Sequence, residues 1–469
     1  MEEKRIQITR KFTVRPIGDK EEISRVYDFI RNGMKVQARM QNLLISALHA
    51  AENNGATKEE QNELIRKYTR IPSEKNKESS LLYGIIKEEE YPTGICLGGY
   101  VGQETQRALK KARKEGLSYG KISLPSFRDN NPMYVQKDLL LPDGDTDKKH
   151  LNAGLKNNYE TMEALEQALL KEGRPNVTII FCNDITFEVV FGNPYKGANL
   201  RKDMIRILSG EYKVCDSEIG IDKNNKIQLY LSLSIPVREN HLDENVKVGV
   251  DLGITVPAVC ALSNNIYKRE LIGSYEEFVG YQTKKRKMRS RIQSGLKASN
   301  GGHGRKKKLA HQEKYDHYIA NFSKTYNHKI SKQIVQFALN NNAGVIQLED
   351  LSSIKKKDSE NKEFKAILQN WSIYDLQQDI IYKAVREGIQ VRFVKPAYTS
   401  QTCSVCGHIG MRPKQDTFIC TNPECNCKQV YEKFGKHFAD FNAARIIAMS
   451  EEYVTEKENK KKAKTPKIA

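Results

Sequence analysis

The chain lacks any stretch approaching the roughly 20 uncharged apolar residues that a membrane-spanning helix needs. It also lacks an apolar secretory core: the start Met1-Glu2-Glu3-Lys4-Arg5 is charged, which predicts a soluble, cytoplasmic protein with no membrane partner. An even cysteine set is missing as well. Nine cysteines without a signal peptide argue against a disulfide framework and for reduced thiols. No repeat period is visible. Negative charge is scarce: 58 Asp and Glu face 77 Lys and Arg, a formal net charge of +19. Polyphosphate is the natural counter-charge for such an excess, so nucleic acid leads the candidate partners. The 469 residues leave room for about three domains of about 150 residues each.

Ile6, Ile8, Phe12 and Val14 alternate in a basic context and predict one or two strands. Over 21–51, Ile23, Val26, Tyr27, Ile30, Met34, Leu43, Leu44 and Leu48 recur near helical spacing, with a break expected at Asn32-Gly33. Helices over 102–115 and 157–172 complete a mainly helical lobe, interrupted by a loop at Leu124-Pro125-Ser126-Phe127-Arg128. Strands return at 177–181 and 186–191, a hairpin turning at Asn183-Asp184. The alternation Ile227, Leu229, Leu231, Leu233, Ile235, entered through Asp222-Lys223-Asn224-Asn225 and stopped by Pro236, predicts a half-buried strand. With the first strands, these predict a small β-barrel split in sequence by the helical lobe. Past residue 245 the pattern becomes α/β: strands at 246–250, 256–262, 345–348 and 391–394, helices over 278–339 and 373–386. The first of those helical regions is expected to break at Gly301-Gly302-His303-Gly304, and the Lys-rich tail beyond about Ser450 reads as a disordered arm.

Two apolar strands end in acids. Val246-Lys247-Val248-Gly249-Val250 delivers Asp251, followed by Leu252-Gly253, and Val345-Ile346-Gln347-Leu348 delivers Glu349. A third acid, Asp440, precedes the helix-like Phe441-Asn442-Ala443-Ala444-Arg445, where an N-cap aspartate is the plain alternative. Three carboxylates on neighbouring elements repel each other unless cations sit between them. Phosphodiester hydrolysis with two metal ions requires such an arrangement, one ion activating water and the other stabilising the departing oxygen. Hard oxygen ligands suit Mg²⁺ or Mn²⁺. Asp251, Glu349 and Asp440 are therefore the candidate catalytic and metal-binding residues.

Cys96, Cys182, Cys215 and Cys260 are scattered and read as small buried apolar groups. The other five cysteines crowd into one segment. Thr402-Cys403-Ser404-Val405-Cys406-Gly407 is a C-x2-C-G knuckle, and Cys420 with Cys425 or Cys427 supplies the second half of a four-cysteine site for one structural Zn²⁺.

Lys284, Lys285, Arg286, Lys287, Arg289, Arg291, Lys297, Arg305, Lys306, Lys307 and Lys308 lie between Tyr281 and Ala310 with no acid among them. Inside an expected nuclease domain, this run and Arg445 are candidate contacts to a phosphate backbone, with salt-sensitive affinity and no sequence readout.

The ordered set Gly249-Val250-Asp251-Leu252-Gly253, Leu348-Glu349-Asp350-Leu351, Thr399-Ser400-Gln401-Thr402-Cys403-Ser404-Val405-Cys406-Gly407 and Ala439-Asp440-Phe441-Asn442-Ala443-Ala444-Arg445 resembles the RuvC and zinc-ribbon region of TnpB proteins and miniature type V CRISPR effectors. Lys324-Thr325-Tyr326-Asn327-His328 and Asn370-Trp371-Ser372, with the only tryptophan, also look like this group. The split barrel, helical lobe and Leu124-Pro125-Ser126-Phe127 loop look more like the type V-F effectors than a shorter TnpB. Two departures stand out: Ile446 where the family usually has Asn, and an insertion over 430–438.

The resemblance implies a multidomain α+β protein: a split N-terminal β-barrel with an inserted helical lobe, then an RNase H-like (RuvC) α/β domain with an inserted four-cysteine zinc ribbon. Its division is 1–20 and 173–245 for the barrel (wedge) domain, 21–172 for the recognition lobe, 246–398 and 437–450 for the nuclease, 399–436 for the ribbon and 451–469 for the basic tail. It further implies RNA-guided cleavage of double-stranded DNA beside a T-rich motif, cutting of single-stranded DNA once activated, and a homodimer on one guide RNA. Within the ribbon, Asn426 follows Cys425 as Gly407 follows Cys406, and both residue types tolerate a left-handed turn, whereas Lys428 follows Cys427. The family's second knuckle likewise looks like a cysteine followed by Gly or Asn. The expected ligand set is thus Cys403, Cys406, Cys420 and Cys425. The alternatives are a transposon-encoded TnpB with the same chemistry, a non-catalytic zinc-ribbon nucleic-acid-binding protein, and a DNA-strand transferase.

Overall fold

The computed structural model describes residues 4–70, 80–91, 98–117, 120, 122–140, 161–172, 175–182, 185–192, 199–253, 256–298, 305–350, 373–414, 416–427 and 438–452. Cys96, the Asn183-Asp184 turn, the Gly301–Gly304 break, Leu351, Asn370-Trp371-Ser372, the start of the 157–172 helix, most of the 430–438 insertion and the tail from 453 lie outside them. The chain folds as two compact units, one over Met1–Pro236 and one beginning at Val237. Among the described residues, no helix is long and apolar enough to cross a membrane.

The N-terminal unit is built on β1 (Arg5–Pro16), a single strand in which Ile8, Phe12 and Val14 are buried. Six more strands join it: β2 (Met133–Val135), β3 (Thr178–Phe181), β4 (Ile185–Val190), β5 (Lys213–Val214), β6 (Ser217–Ile221) and β7 (Ile227–Pro236). Their order is β2-β6-β7-β1-β4-β3, all antiparallel, with β5 also pairing with β7. β1 pairs with β7 from Arg5↔Pro236 to Val14↔Ile227, so the sheet joins strands more than two hundred residues apart in sequence. The expected turn into β7 is present: Asn225 has φ +58, and Asp222 Oδ1 accepts from Asn224 N at 2.8 Å and Lys226 N at 3.0 Å.

Between β1 and β3 run α1 (Lys20–Asn53), α2 (Lys58–Thr69), α3 (Leu81–Glu88), α4 (Gly98–Glu115), α5 (Lys137–Leu140) and α6 (Met162–Lys171). α1 starts at a capping box in which Asp19 and Glu22 each accept from the other's backbone. It passes through Asn32-Gly33 without the expected break. A Cβ at Gly33 would lie 2.3 Å from Met133 Sδ, so the glycine makes room for β2 instead of ending the helix. Burial of Ile30, Met34, Met40, Leu44 and Leu48 outweighs its intrinsic cost of about 1 kcal/mol. α7 (Asn199–Leu208) escapes prediction because its amphipathic stripe is short. Its buried Arg201 donates to Leu169 O at 2.8 Å and Glu172 O at 2.6 Å, serving carbonyls at the end of α6.

The second unit contains β8 (Asp243–Asp251), β9 (Ala258–Leu262), β10 (Arg269–Ile272), α8 (Tyr275–Ala298), α9 (Arg305–Asn340), β11 (Ala343–Glu349), α10 (Ile373–Arg386), β12 (Gln390–Val394), the hairpin β13 (Met411–Lys414) and β14 (Thr417–Ile419), and α11 (Phe438–Met449). The five-stranded sheet has the order β10-β9-β8-β11-β12. β8, β9 and β10 form an antiparallel meander, while β11 lies parallel to both β8 and β12. Alternation along β9 sends Ala258, Cys260 and Leu262 into a core with Ile330 and Ile334 of α9 and Leu376 and Ile380 of α10. Val259 and Ala261 face the other way, into a smaller core with Phe441 and Ala444 of α11. Cys260 is fully buried as expected, and Cys182 and Cys215 are half-buried.

Candidate active site

Asp251 ends β8 and Glu349 ends β11; these strands are parallel, with Leu348 opposite Val250, so both acids emerge at the same sheet edge. Asp440 stands in the first turn of α11, which packs across β8. Gly249 permits that approach. A Cβ there would lie 2.0 Å from Ala444 O and 2.3 Å from Ala448 N, both backbone atoms of α11. Gly249→Ala is therefore expected to push α11 off the sheet, costing about 3 kcal/mol and displacing Asp440. Denaturant unfolding and a cleavage assay on the same variant would check both effects, and wild-type values in both would remove the constraint.

The electrostatics show that Asp251 senses the other two acids. Burial first, and then the charges of Glu349 and Asp440, push the Asp251 carboxyl up to about 7. Burial also raises Glu349, opposed by the Thr399 hydroxyl and by Arg412. Thr399 Oγ1 donates to Glu349 Oε1, and Gln377 Nε2 donates to Glu349 O at 3.0 Å, fixing the end of β11. Arg412, from β13, donates to Asp440 Oδ1 at 2.9 Å and lowers the ionisation cost of both other acids. The arrangement has carboxylate oxygens to hold divalent cations and one fixed guanidinium beside them.

Below this site the cysteine segment is tied to α11. Asn442, fully buried, accepts from Ser404 N at 2.8 Å through Oδ1 and donates to Thr402 O at 2.7 Å through Nδ2. All five cysteines of the segment converge. Cys403 Sγ and Cys425 Sγ are 3.8 Å apart and Cys406 Sγ and Cys420 Sγ 3.5 Å, near the edge of about 3.8 Å that Zn–S bonds of about 2.3 Å give a tetrahedron. Cys403, Cys420, Cys425 and Cys427 have sulfurs within 4.8 Å of one another, the only donor group so compact among the described residues. Cys427, expected at an ordinary position, is thus part of the cluster, and the three carboxylates are spread more widely than the thiols. Gly407 has the expected positive φ of +77, but Asn426 does not share it. The turn argument that singled out Cys425 fails at Asn426, although Cys425 belongs to both compact groupings.

Of the basic run, Lys284, Lys287 and Arg291 are exposed on α8, while Lys285, Arg286 and Arg289 are half-buried. Lys285 Nζ lies 5.0 Å from the Tyr318 ring centre and 5.4 Å from that of Tyr281. Arg305, Lys306, Lys307 and Lys308 open α9, and Arg445 is half-buried on α11. Lys324–His328 lies in α9, where Tyr326 packs against Phe278 and Phe322 and His328 Nδ1 meets Asp379 Oδ2 at 3.1 Å. That motif binds α9 to α8 and α10 and adds nothing to the acid site. Sequence reasoning missed Arg412, Thr399 and Asn442. The last two sit inside motifs already singled out, whereas nothing distinguishes Arg412 among 77 Lys and Arg.

Comparison with known proteins gives concordant results. The family profile "Cas12f1-like, TNB domain" matches residues 374–447, which span α10, the cysteine segment and α11. The CRISPR-associated endodeoxyribonuclease Cas12f1 of Sulfoacidibacillus thermotolerans is 34% identical over 381 residues, covering 78% of this chain and 79% of that protein. A TnpB-like protein of Methanocaldococcus jannaschii is 33% identical over 122 residues, 26% of this chain and 42% of that one. A solved cryo-EM structure of a Cas12f1-sgRNA-target DNA complex has the same fold, with a TM-score of 0.59 at 17% identity, covering 95% of this chain and 99% of that chain. The chain belongs to the Cas12f1 family of CRISPR-associated endodeoxyribonucleases.

Proposed function

We propose that the chain is an RNA-guided DNA endonuclease with one RuvC-like active site at Asp251, Glu349 and Asp440. The observation that carries this reading is the convergence of three carboxylates at one edge of the β10-β9-β8-β11-β12 sheet, where burial and then the charges of the other two raise the Asp251 carboxyl. That strand order, with its antiparallel meander and parallel fourth and fifth strands, supports an RNase H-like domain. Divalent Mg²⁺ or Mn²⁺ held by these acids would supply the Lewis acidity for phosphodiester hydrolysis. The chain's own groups do the rest. Asp251, Glu349 and Asp440 would hold the metal, Thr399 orients Glu349, and Arg412 draws a phosphate toward the acids.

The cations of α8 and the start of α9, with Arg445, bind the nucleic-acid backbone, while base pairing with a guide reads the sequence, as in other RNA-guided nucleases. The split sheet of the N-terminal unit closes as a barrel and, with the helical lobe, receives guide RNA and target DNA in the domain division given above. A T-rich adjacent motif, activated cutting of single strands, a homodimer on one guide and a cytoplasmic location complete the reading. The TnpB alternative shares the chemistry, but the much wider coverage of the Cas12f1 relative favours the CRISPR effector. Sequencing the RNA that copurifies with the protein tests it. A defined repeat-derived guide is expected, whereas random cellular RNA would sink the proposal.

One zinc sits in the cysteine cluster, held by Cys403, Cys406, Cys420 and Cys425. Cys427 stays thiol, in the ribbon's small core with Phe418 and Ala439. Cys425→Ser is expected to lose zinc and Cys427→Ser to keep it, and metal content measured on both purified variants decides. The reverse pattern would exchange the two assignments.

A further inference from the structure

Among the described residues, five other than glycine have positive φ, and Tyr398 is the only aromatic one, with φ +61 and 64% of its surface exposed. The backbone there has a clear structural task. The carbonyl of Tyr398 accepts from Gln401 N, Thr402 N and Thr402 Oγ1, each at 3.0 Å, which fixes the turn entering the first zinc knuckle. Glycine or asparagine meets that task with less strain, because a bulky side chain is disfavoured in the left-handed region. The ring does not offset the strain within the chain. Neither the ring nor the hydroxyl has a hydrogen bond, ion pair or ring partner among the described residues, and an exposed ring gains little from burial.

Its position suggests what does. The strand preceding it, β12, pairs Val394 with Glu349, and the next residue, Thr399, gives its hydroxyl to the Glu349 carboxylate. An unpartnered aromatic ring therefore stands one residue from a group that touches the acid site, in a chain carrying a large positive charge. Single-stranded DNA is recognised by this pairing of cations with aromatic faces, on which bases of any sequence stack. We propose that Tyr398 is a stacking platform for one nucleobase of the DNA strand entering the carboxylate site. The inference rests on the nuclease reading above and adds a substrate contact to it.

The test uses the full chain with a matched guide and Mg²⁺, and target DNA whose displaced strand carries one abasic nucleotide, moved stepwise past the cut site. In the wild type, one position is expected to slow single-turnover cleavage about tenfold. Tyr398→Asn should cut intact DNA about tenfold more slowly, lose nothing further at that abasic position, and melt at a higher temperature. Tyr398→Phe should behave as wild type. A Tyr398→Asn variant that cuts at the wild-type rate, still responds to the abasic position, or melts lower overturns the platform, and so does loss of cleavage in Tyr398→Phe. A wild type that cuts no guided DNA at all refutes instead the nuclease reading on which the inference stands.

Discussion

Alanine at Asp251, Glu349 or Asp440 is expected to lower target cleavage by about a thousandfold or more while leaving guide and target binding within about twofold. The split follows from what these groups do. In the proposed reading they hold the divalent cation, and their interaction with the phosphodiester grows only as charge develops during bond cleavage. In the proposed reading, the basic helices and the N-terminal unit hold guide and target. A second consequence concerns stability. Asp251 has a carboxyl raised above its unfolded value, so its protonated form stabilises the fold fully below about pH 4. That contribution is lost as pH rises through about 7, where burial and the neighbouring charges oppose ionisation. Asp251→Ala removes the repulsion, so without divalent metal it should melt higher than wild type at pH 8. Gel-resolved cleavage, binding titrations and melting curves on the three variants measure all of this.

Arg412→Ala is expected to reduce cleavage about a hundredfold, with Arg412→Lys recovering part of the rate. The guanidinium touches Asp440 and stabilises the ionised forms of Asp251 and Glu349. Its loss removes a cation that favours the ionised acids, so added Mg²⁺ should raise the melting temperature of Arg412→Ala more than that of wild type. A merely structural role for β13 would change stability equally with and without Mg²⁺. Equal Mg²⁺ shifts in the two proteins would therefore remove Arg412 from the site.

The parts that were legible in sequence are those where local pattern and burial agree. β7 alternates cleanly because one face of its sheet is buried, and β8 and β11 read as strands because the helices of the second unit cover them. The three acids were visible because each ends an apolar run or begins a helix. What escaped depends on distant partners. Gly33 looks like a helix breaker until Met133 is packed on it, and Gly249 gains its meaning only from the backbone of α11. Arg412 reaches Asp440 across a hairpin whose own sequence says nothing of carboxylates. The place of Cys427 in the thiol cluster depends equally on how the ribbon folds back, which the spacing between cysteines leaves open.

The central claim is that a single carboxylate site performs all the cutting, and strand-resolved analysis of guided cleavage tests it most directly. With each strand of a matched target end-labelled separately, the wild type with Mg²⁺ should cut both strands. Asp251→Ala should cut neither, because both strands pass through the same three acids. Continued cutting of either strand by Asp251→Ala would contradict the single-site account.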